Sequence, residues 1–137
     1  YTATDLSGNF IADAKYDITS IDKEDNSFDL IICYHILEHI IDDEKAMSEL
    51  YRVLKPNGTL LIQTPFKEGE IYEDYSITTE AERLKHFGQE DHVRIYSING
   101  LKDRLQNVGF KIEILQFQEE DYFGFSDNEQ LIIAKKE

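Results

Sequence analysis

Three side chains able to move protons or bind a metal stand close together in this sequence: His35, Glu38 and His39. Their spacing, i, i+3 and i+4, puts all three on one face if the segment is helical. Two chemistries fit them. One is a metal site, where so much imidazole favours a transition metal over magnesium. The other is general-base catalysis, with His39 or His35 accepting a proton from a hydroxyl or amine. A second group, Asp91, His92 and Arg94, combines an acid, a base and a planar cation and suits a polar ligand. Asp5 and Asp17 each follow a strand-like segment. A carboxylate there can accept hydrogen bonds from a ribose, or serve only as a turn or cap residue.

The elements that must position these residues alternate along the chain. Residues 1–5 and 14–18 read as two short strands. Phe28–Tyr34 is nearly continuous in apolar character, the pattern of a strand covered on both faces in a parallel sheet. Residues 41–55 read as a helix, with Ala46, Met47, Leu50, Tyr51 and Leu54 forming one apolar stripe. Asp42, Asp43 and Glu44 crowd its first turn, and Arg52 and Lys55 its last, which complements the macrodipole at both ends. Pro56, Asn57 and Gly58 stop the helix, and residues 59–64 form another buried strand ended by Pro65.

Residues 66–96 lack clear periodicity and are too many for an ordinary connector, which implies a functional lid or a small subdomain. A short helix is predicted within them at Glu80–Phe87. Ser97 caps the next helix, which carries Leu101, Leu105 and Val108 and stops at Gly109. Residues 111–118 and Gln130–Lys135 read as closing strands. The alternation predicts an α/β layered sheet. Ligands of such sheets bind at the carboxyl ends of the strands, which here are Asp5-Leu6, Asp17-Ile18, Tyr34-His35 and Thr64-Pro65.

Composition narrows the partners. The 137 residues fit a single domain, 1–137, and carry a net charge of −14. That field repels phosphate backbones and anionic lipid, so neither nucleic acid nor a membrane surface is an expected partner. No apolar run approaches the roughly 20 residues of a membrane span, and no signal peptide is visible. Cys33 is the lone cysteine, which offers no disulfide framework and fits a cytoplasmic protein.

The most specific signal is a linked text. It runs through Ser27-Phe28-Asp29-Leu30-Ile31-Ile32, Tyr34-His35-Ile36-Leu37-Glu38-His39-Ile40, and Glu49-Leu50-Tyr51-Arg52-Val53-Leu54-Lys55-Pro56-Asn57-Gly58-Thr59-Leu60. Asn107-Val108-Gly109-Phe110 follows. In order and spacing this resembles the class I S-adenosylmethionine-dependent methyltransferases of the small-molecule, type 11-like group. Asn57 stands where that group usually has the first of two glycines. The resemblance implies a Rossmann-like α/β sheet with helices on both faces and an antiparallel last strand. It also implies S-adenosylmethionine as cofactor and methyl transfer to a small-molecule acceptor.

Carried over residue by residue, Asp5 would bind the adenosine ribose and Leu6 would flank the adenine. Asp17 and Ile18 would meet the adenine amino group and ring, and Tyr34 and His35 would line the methionine part. His35 and His39 are the catalytic candidates. Residues 85–96 resemble the acceptor-pocket stretch of one subgroup, which makes 66–96 an acceptor-pocket lid with Asp91, His92 and Arg94 as substrate contacts. On the other reading, Asp91 and Arg94 pair with each other and lock the loop. A related branch acting on small RNA holds a divalent ion with similar text and a distant histidine, a place that His86 or His92 would fill here. Many cofactor-only members carry the same Leu-Glu-His, however, so the resemblance to them implies no metal.

The family's first strand and Gly-x-Gly-x-Gly loop have no counterpart in these residues. The expectation is an N-terminally truncated domain that binds the cofactor weakly or not at all by itself. The missing strand belongs between 1–5 and 28–34, so its absence leaves sheet edges that favour a homo-oligomer. The alternative is a non-catalytic, methyltransferase-like module that binds a partner.

Overall fold

The computed structural model describes residues 2–4, 11–118 and 129–137. In chain order the elements are β1 (Phe28–Tyr34), a single 3-10 turn (Leu37–His39), α1 (Asp43–Val53), β2 (Leu54–Gln63), β3 (Phe66–Lys67) and β4 (Tyr72–Glu73). There follow α2 (Glu80–Phe87), β5 (Arg94–Ser97), α3 (Ile98–Val108), β6 (Lys111–Gln116) and β7 (Gln130–Lys135).

Local chemistry starts and stops the helices. The Asp42 side chain accepts from the Lys45 N–H at 3.1 Å and so caps α1. Thr79 and Glu82 form a reciprocal capping box on α2, which ends at Gly88 with φ +86°. Ser97 caps α3 through the Gly100 N–H, as its residue type before the apolar-periodic stretch predicts. At the far end of α1 the cap comes from the chain terminus. The Lys136 ammonium reaches the carbonyls of Tyr51 and Leu54 at 2.9 and 2.8 Å and lies over the Tyr51 ring.

The main sheet has the order β1-β2-β7-β6. β1 and β2 are parallel, β7 runs antiparallel to β2, and β6 runs antiparallel to β7. The expected antiparallel last strand is therefore present. α1 and α3 pack on each other and against the sheet. Met47 and Leu50 of α1, Leu101 and Leu105 of α3, and Leu60, Ile62 and Ile132 of the strands form one buried cluster. Burial of each large aliphatic side chain contributes about 1.5–3 kcal/mol.

Four expectations need correction. Residues 14–18 form no strand; they make only an isolated parallel bridge, Thr4 to Ala14, and a turn-like bridge, Asp17 to Ser20. Of residues 1–5, only 2–4 are described; beside that bridge the Ala3 carbonyl accepts from the Asp13 and Ala14 N–H groups at 2.8 and 3.2 Å, and the Ala3 N–H donates to the Asp13 carboxylate at 2.8 Å. A short segment without a neighbouring strand edge cannot extend a ladder. Second, β1 is covered on one face only: Cys33 is buried, while Leu30, Ile32 and Tyr34 are 53%, 50% and 43% exposed. Third, α1 ends at Val53 instead of residue 55, and β2 already includes Pro56, Asn57 and Gly58 as a bulge opposite the start of β1. Fourth, β6 stops at Gln116.

Residues 66–96 form an ordered unit. β5 lies at the centre of a small sheet, parallel to β3 and antiparallel to β4, with α2 between β4 and β5 in sequence. The pairs are only two residues long, which is why no strand periodicity shows in the sequence.

Candidate functional site

The two parallel strands end level with each other. Tyr34 pairs with Gln63, and the next N–H, from His35, donates to the Gln63 carbonyl at 2.9 Å. His35 then takes a left-handed backbone, φ +51°, which turns the chain sharply off the sheet. Its side chain is 58% exposed. Leu37 and Glu38 point inward behind it, each about 1% exposed.

One buried side chain holds this turn. Arg94 of β5 is fully buried and donates to the carbonyls of Leu37 at 3.2 Å, Ile40, and Ile41 at 2.9 Å. Its Nε donates to Glu73 at 2.9 Å. Arg104 of α3 completes the frame by pairing with Glu73 and with Asp43, which also accepts from the Tyr96 hydroxyl. Burial works against the charge on Glu73, yet Arg104 and Arg94 hold its carboxyl below the usual range. The Tyr96 hydroxyl is pushed well above its ordinary value by burial and by Asp43. The charged groups are therefore mutually satisfied, and the turn is fixed to the insert through backbone carbonyls.

What this frame positions is a cluster at the mouth of the turn. His39 Nδ1 stands 3.2 Å from Asp91, and its ring meets that of His92 edge-on at 4.6 Å between centroids. His92 is 5% exposed, and burial, followed by neighbouring His39, lowers its pKa below the ordinary imidazole value. The Val93 N–H donates to the Glu38 carbonyl at 2.9 Å, tying the two segments together. A cleft of about 180 Å³ opens here, its lining including Glu38, Pro65, Phe87, His92, Arg94 and Ile95. Two polar groups near the strand ends lack hydrogen-bond partners although buried: both carboxylate oxygens of Glu38 and the Thr64 hydroxyl.

The residues singled out from sequence separate accordingly. His39, Asp91 and His92 come together from segments some 50 residues apart, beside Glu38. Arg94 faces inward, with its donors committed to Glu73 and the turn. The alternative Asp91–Arg94 pair does not form, because Asp91 faces His39 and Arg94 faces Glu73. His86 lies apart from the cluster, its Nδ1 2.7 Å from the Tyr72 hydroxyl. Tyr34 and His35 are exposed at the strand end. Asp17 is exposed, with its Oδ1 accepting from the Thr19 N–H and hydroxyl at 2.8 and 2.7 Å; these bonds hold its carboxyl below the usual range. Asp5 and Leu6 lie outside the described residues. Glu73, Asp43 and Arg104 were not singled out. Asp43 reads as an ordinary first-turn acid, and nothing in the spacing announces that partners 30 and 61 residues away share one frame.

Comparison with known proteins adds independent findings. The family model described as "Methyltransferase domain" matches residues 1–115. A sterol 24-C-methyltransferase of Candida albicans is 33% identical over 102 residues, covering 72% of this chain and 26% of its own length. A SAM-dependent methyltransferase structure from Thermotoga maritima superposes with a TM-score of 0.66 at 21% identity, covering 90% of this chain and 63% of that one. A phosphoethanolamine N-methyltransferase of Haemonchus contortus, solved with S-adenosylhomocysteine, gives 0.59 at 20% identity, covering 88% and 36%. The chain thus spans less than two thirds of each of these proteins, from 26% to 63%, and the structural likenesses speak for the fold alone.

Proposed function

Because this chain belongs to the class I S-adenosylmethionine-dependent methyltransferase family, we propose that it forms the adenine side and the acceptor side of a methyl-transfer site for a small polar molecule. S-adenosylmethionine is the cofactor of the family, and its sulfonium supplies an already activated methyl group. The described residues suit it by type. Asp17 offers an exposed carboxylate beside half-buried Ile18 for the adenine, and Tyr34 and His35 stand exposed where β1 ends. Asp5 and Leu6 are proposed for the ribose and adenine edge on the strength of the sequence resemblance.

The observation that carries the acceptor reading is the cleft beside Glu38 and His92, formed where the insert meets the ends of β1 and β2. Residues 66–96 would cover the acceptor as a lid. His39 and His92, with Asp91, would orient it, and Arg94 would act through the turn it pins. His35 and His39 are the catalytic candidates. Alignment against an activated methyl group supplies most of the rate in such a reaction, so the histidines need only position the acceptor's lone pair.

The test is S-adenosylhomocysteine formation by the natural protein that carries this chain, with small alcohols and amines offered as acceptors. Acceptor-dependent turnover is expected, falling by about 100-fold in His39→Ala, the scale of a roughly 1 Å misplacement. Absence of turnover with every acceptor would favour a non-catalytic, partner-binding module. The open face of β1, with Leu30 and Ile32 half exposed, is the observation on that side.

A further inference from the structure

We infer that Glu38, His39 and His92 form a binding site for one divalent first-row transition-metal ion. Donor atoms of these three side chains lie within 4.8 Å of one another, and two of the residues are buried. They come from two segments that the fold holds in contact, the turn after β1 and the approach to β5. The decisive group is Glu38. It is 1% exposed, and neither carboxylate oxygen has a hydrogen-bond partner. The closest basic group, His35 Nδ1, stands 3.4 Å from Oε1 without making a hydrogen bond. A carboxylate taken out of water needs a partner, and among the described residues the basic groups near it are the exposed His35 ring and the two imidazoles that face the same space.

The surroundings match what a metal-bound histidine requires. Asp91 lies 3.2 Å from His39 Nδ1, and the Phe87 backbone stands beside the His92 ring. A carboxylate or backbone carbonyl on one ring nitrogen orients the other toward an ion. Donors around a four-coordinate ion with bonds of about 2.1 Å are roughly 3.4 Å apart. The site must therefore tighten somewhat, and the His39 side chain, 29% exposed, has room to turn. Two imidazoles and one carboxylate select zinc, manganese, iron or cobalt over magnesium and calcium. Three protein ligands leave a coordination position free, and Glu38 and His92 also line the cleft. The ion would thus be accessible from the proposed acceptor side; with it bound, His39 and His92 would act on an acceptor through the ion and not by hydrogen-bonding it themselves.

The chelator-treated chain titrated with zinc in excess magnesium tests this directly, because magnesium occupies the many exposed carboxylates and leaves imidazole sites to zinc. One equivalent should bind, and cobalt should give the visible absorption of a low-symmetry ion. Glu38→Gln and His92→Asn should each weaken zinc binding by at least about tenfold. His86→Asn, outside the cluster, should bind as the parent does. Circular dichroism checks the fold of each variant, and His39→Asn, at the more exposed ligand, carries the test if a buried variant does not fold. No stoichiometric uptake, or uptake undiminished in the folded ligand variants, overturns the site. The readout involves no methyl transfer, so it stands or falls apart from the proposed function.

Discussion

At the residue scale, Arg94 is the side chain on which the site geometry most depends. It is fully buried, and its guanidinium joins three carbonyls of the turn after β1 to Glu73. Arg94→Met removes one member of a buried ionic frame and strands Glu73 and the carbonyls. The expected loss is about 3–5 kcal/mol in denaturant unfolding, and a loss below about 1 kcal/mol would contradict the role described. Cys33 tests the interior in another way. Burial pushes its thiol up to about 12, with Glu38 adding to the rise. The folded protein should therefore resist alkylation at pH 8 and react once denaturant opens it. The sign for stability follows: the folded thiol keeps its proton above the unfolded value, so its contribution is complete below about pH 8.5 and declines as pH rises toward 12. The chemistry of the cluster was partly legible at this scale. Glu38, His39 and His92 stood out by type, but their meeting depends on β5 docking against the turn, which spacing alone does not reveal.

At the element scale, the helices were readable because their caps are local. Asp42, Thr79 and Ser97 each act within three residues of themselves. β7 and the apolar span of β1 were readable for the same reason. The insert was not, since its two-residue strands owe their existence to partners 20–30 residues away. Residues 14–18 show the opposite error, an apolar alternation with no ladder to join. The bulge at the start of β2 offers a sharp test. Asn57 adopts φ +64°, while Gly58 is the position where an added Cβ would meet Leu54 Cγ and the Lys55 carbonyl at 2.8 Å. Asn57→Gly should change stability by no more than about 0.5 kcal/mol. Gly58→Ala should cost about 1–3 kcal/mol, because backbone and not a flexible side-chain tip stands in the way. Equal effects in thermal unfolding would refute that assignment.

At the scale of the whole molecule, the sheet is asymmetric. One face is packed under α1 and α3, and the edge strand β1 presents Leu30, Ile32 and Tyr34 outward at its own edge of the described structure. The net charge of −14 over 137 residues gives the molecule a negative overall field. Among the described residues no helix is long and apolar enough to cross a membrane. The ends of β1 and β2, the turn and the insert therefore form the surface where family membership and geometry converge. Ultraviolet crosslinking of methyl-labelled S-adenosylmethionine, followed by peptide mapping, addresses that convergence most directly. It registers contact even when affinity is modest. Label on the peptides containing Asp17-Ile18 or Tyr34-His35, competed by excess unlabelled S-adenosylhomocysteine, is the expected result. Label confined to other peptides, or not displaced by the competitor, would contradict the placement of the cofactor at these strand ends.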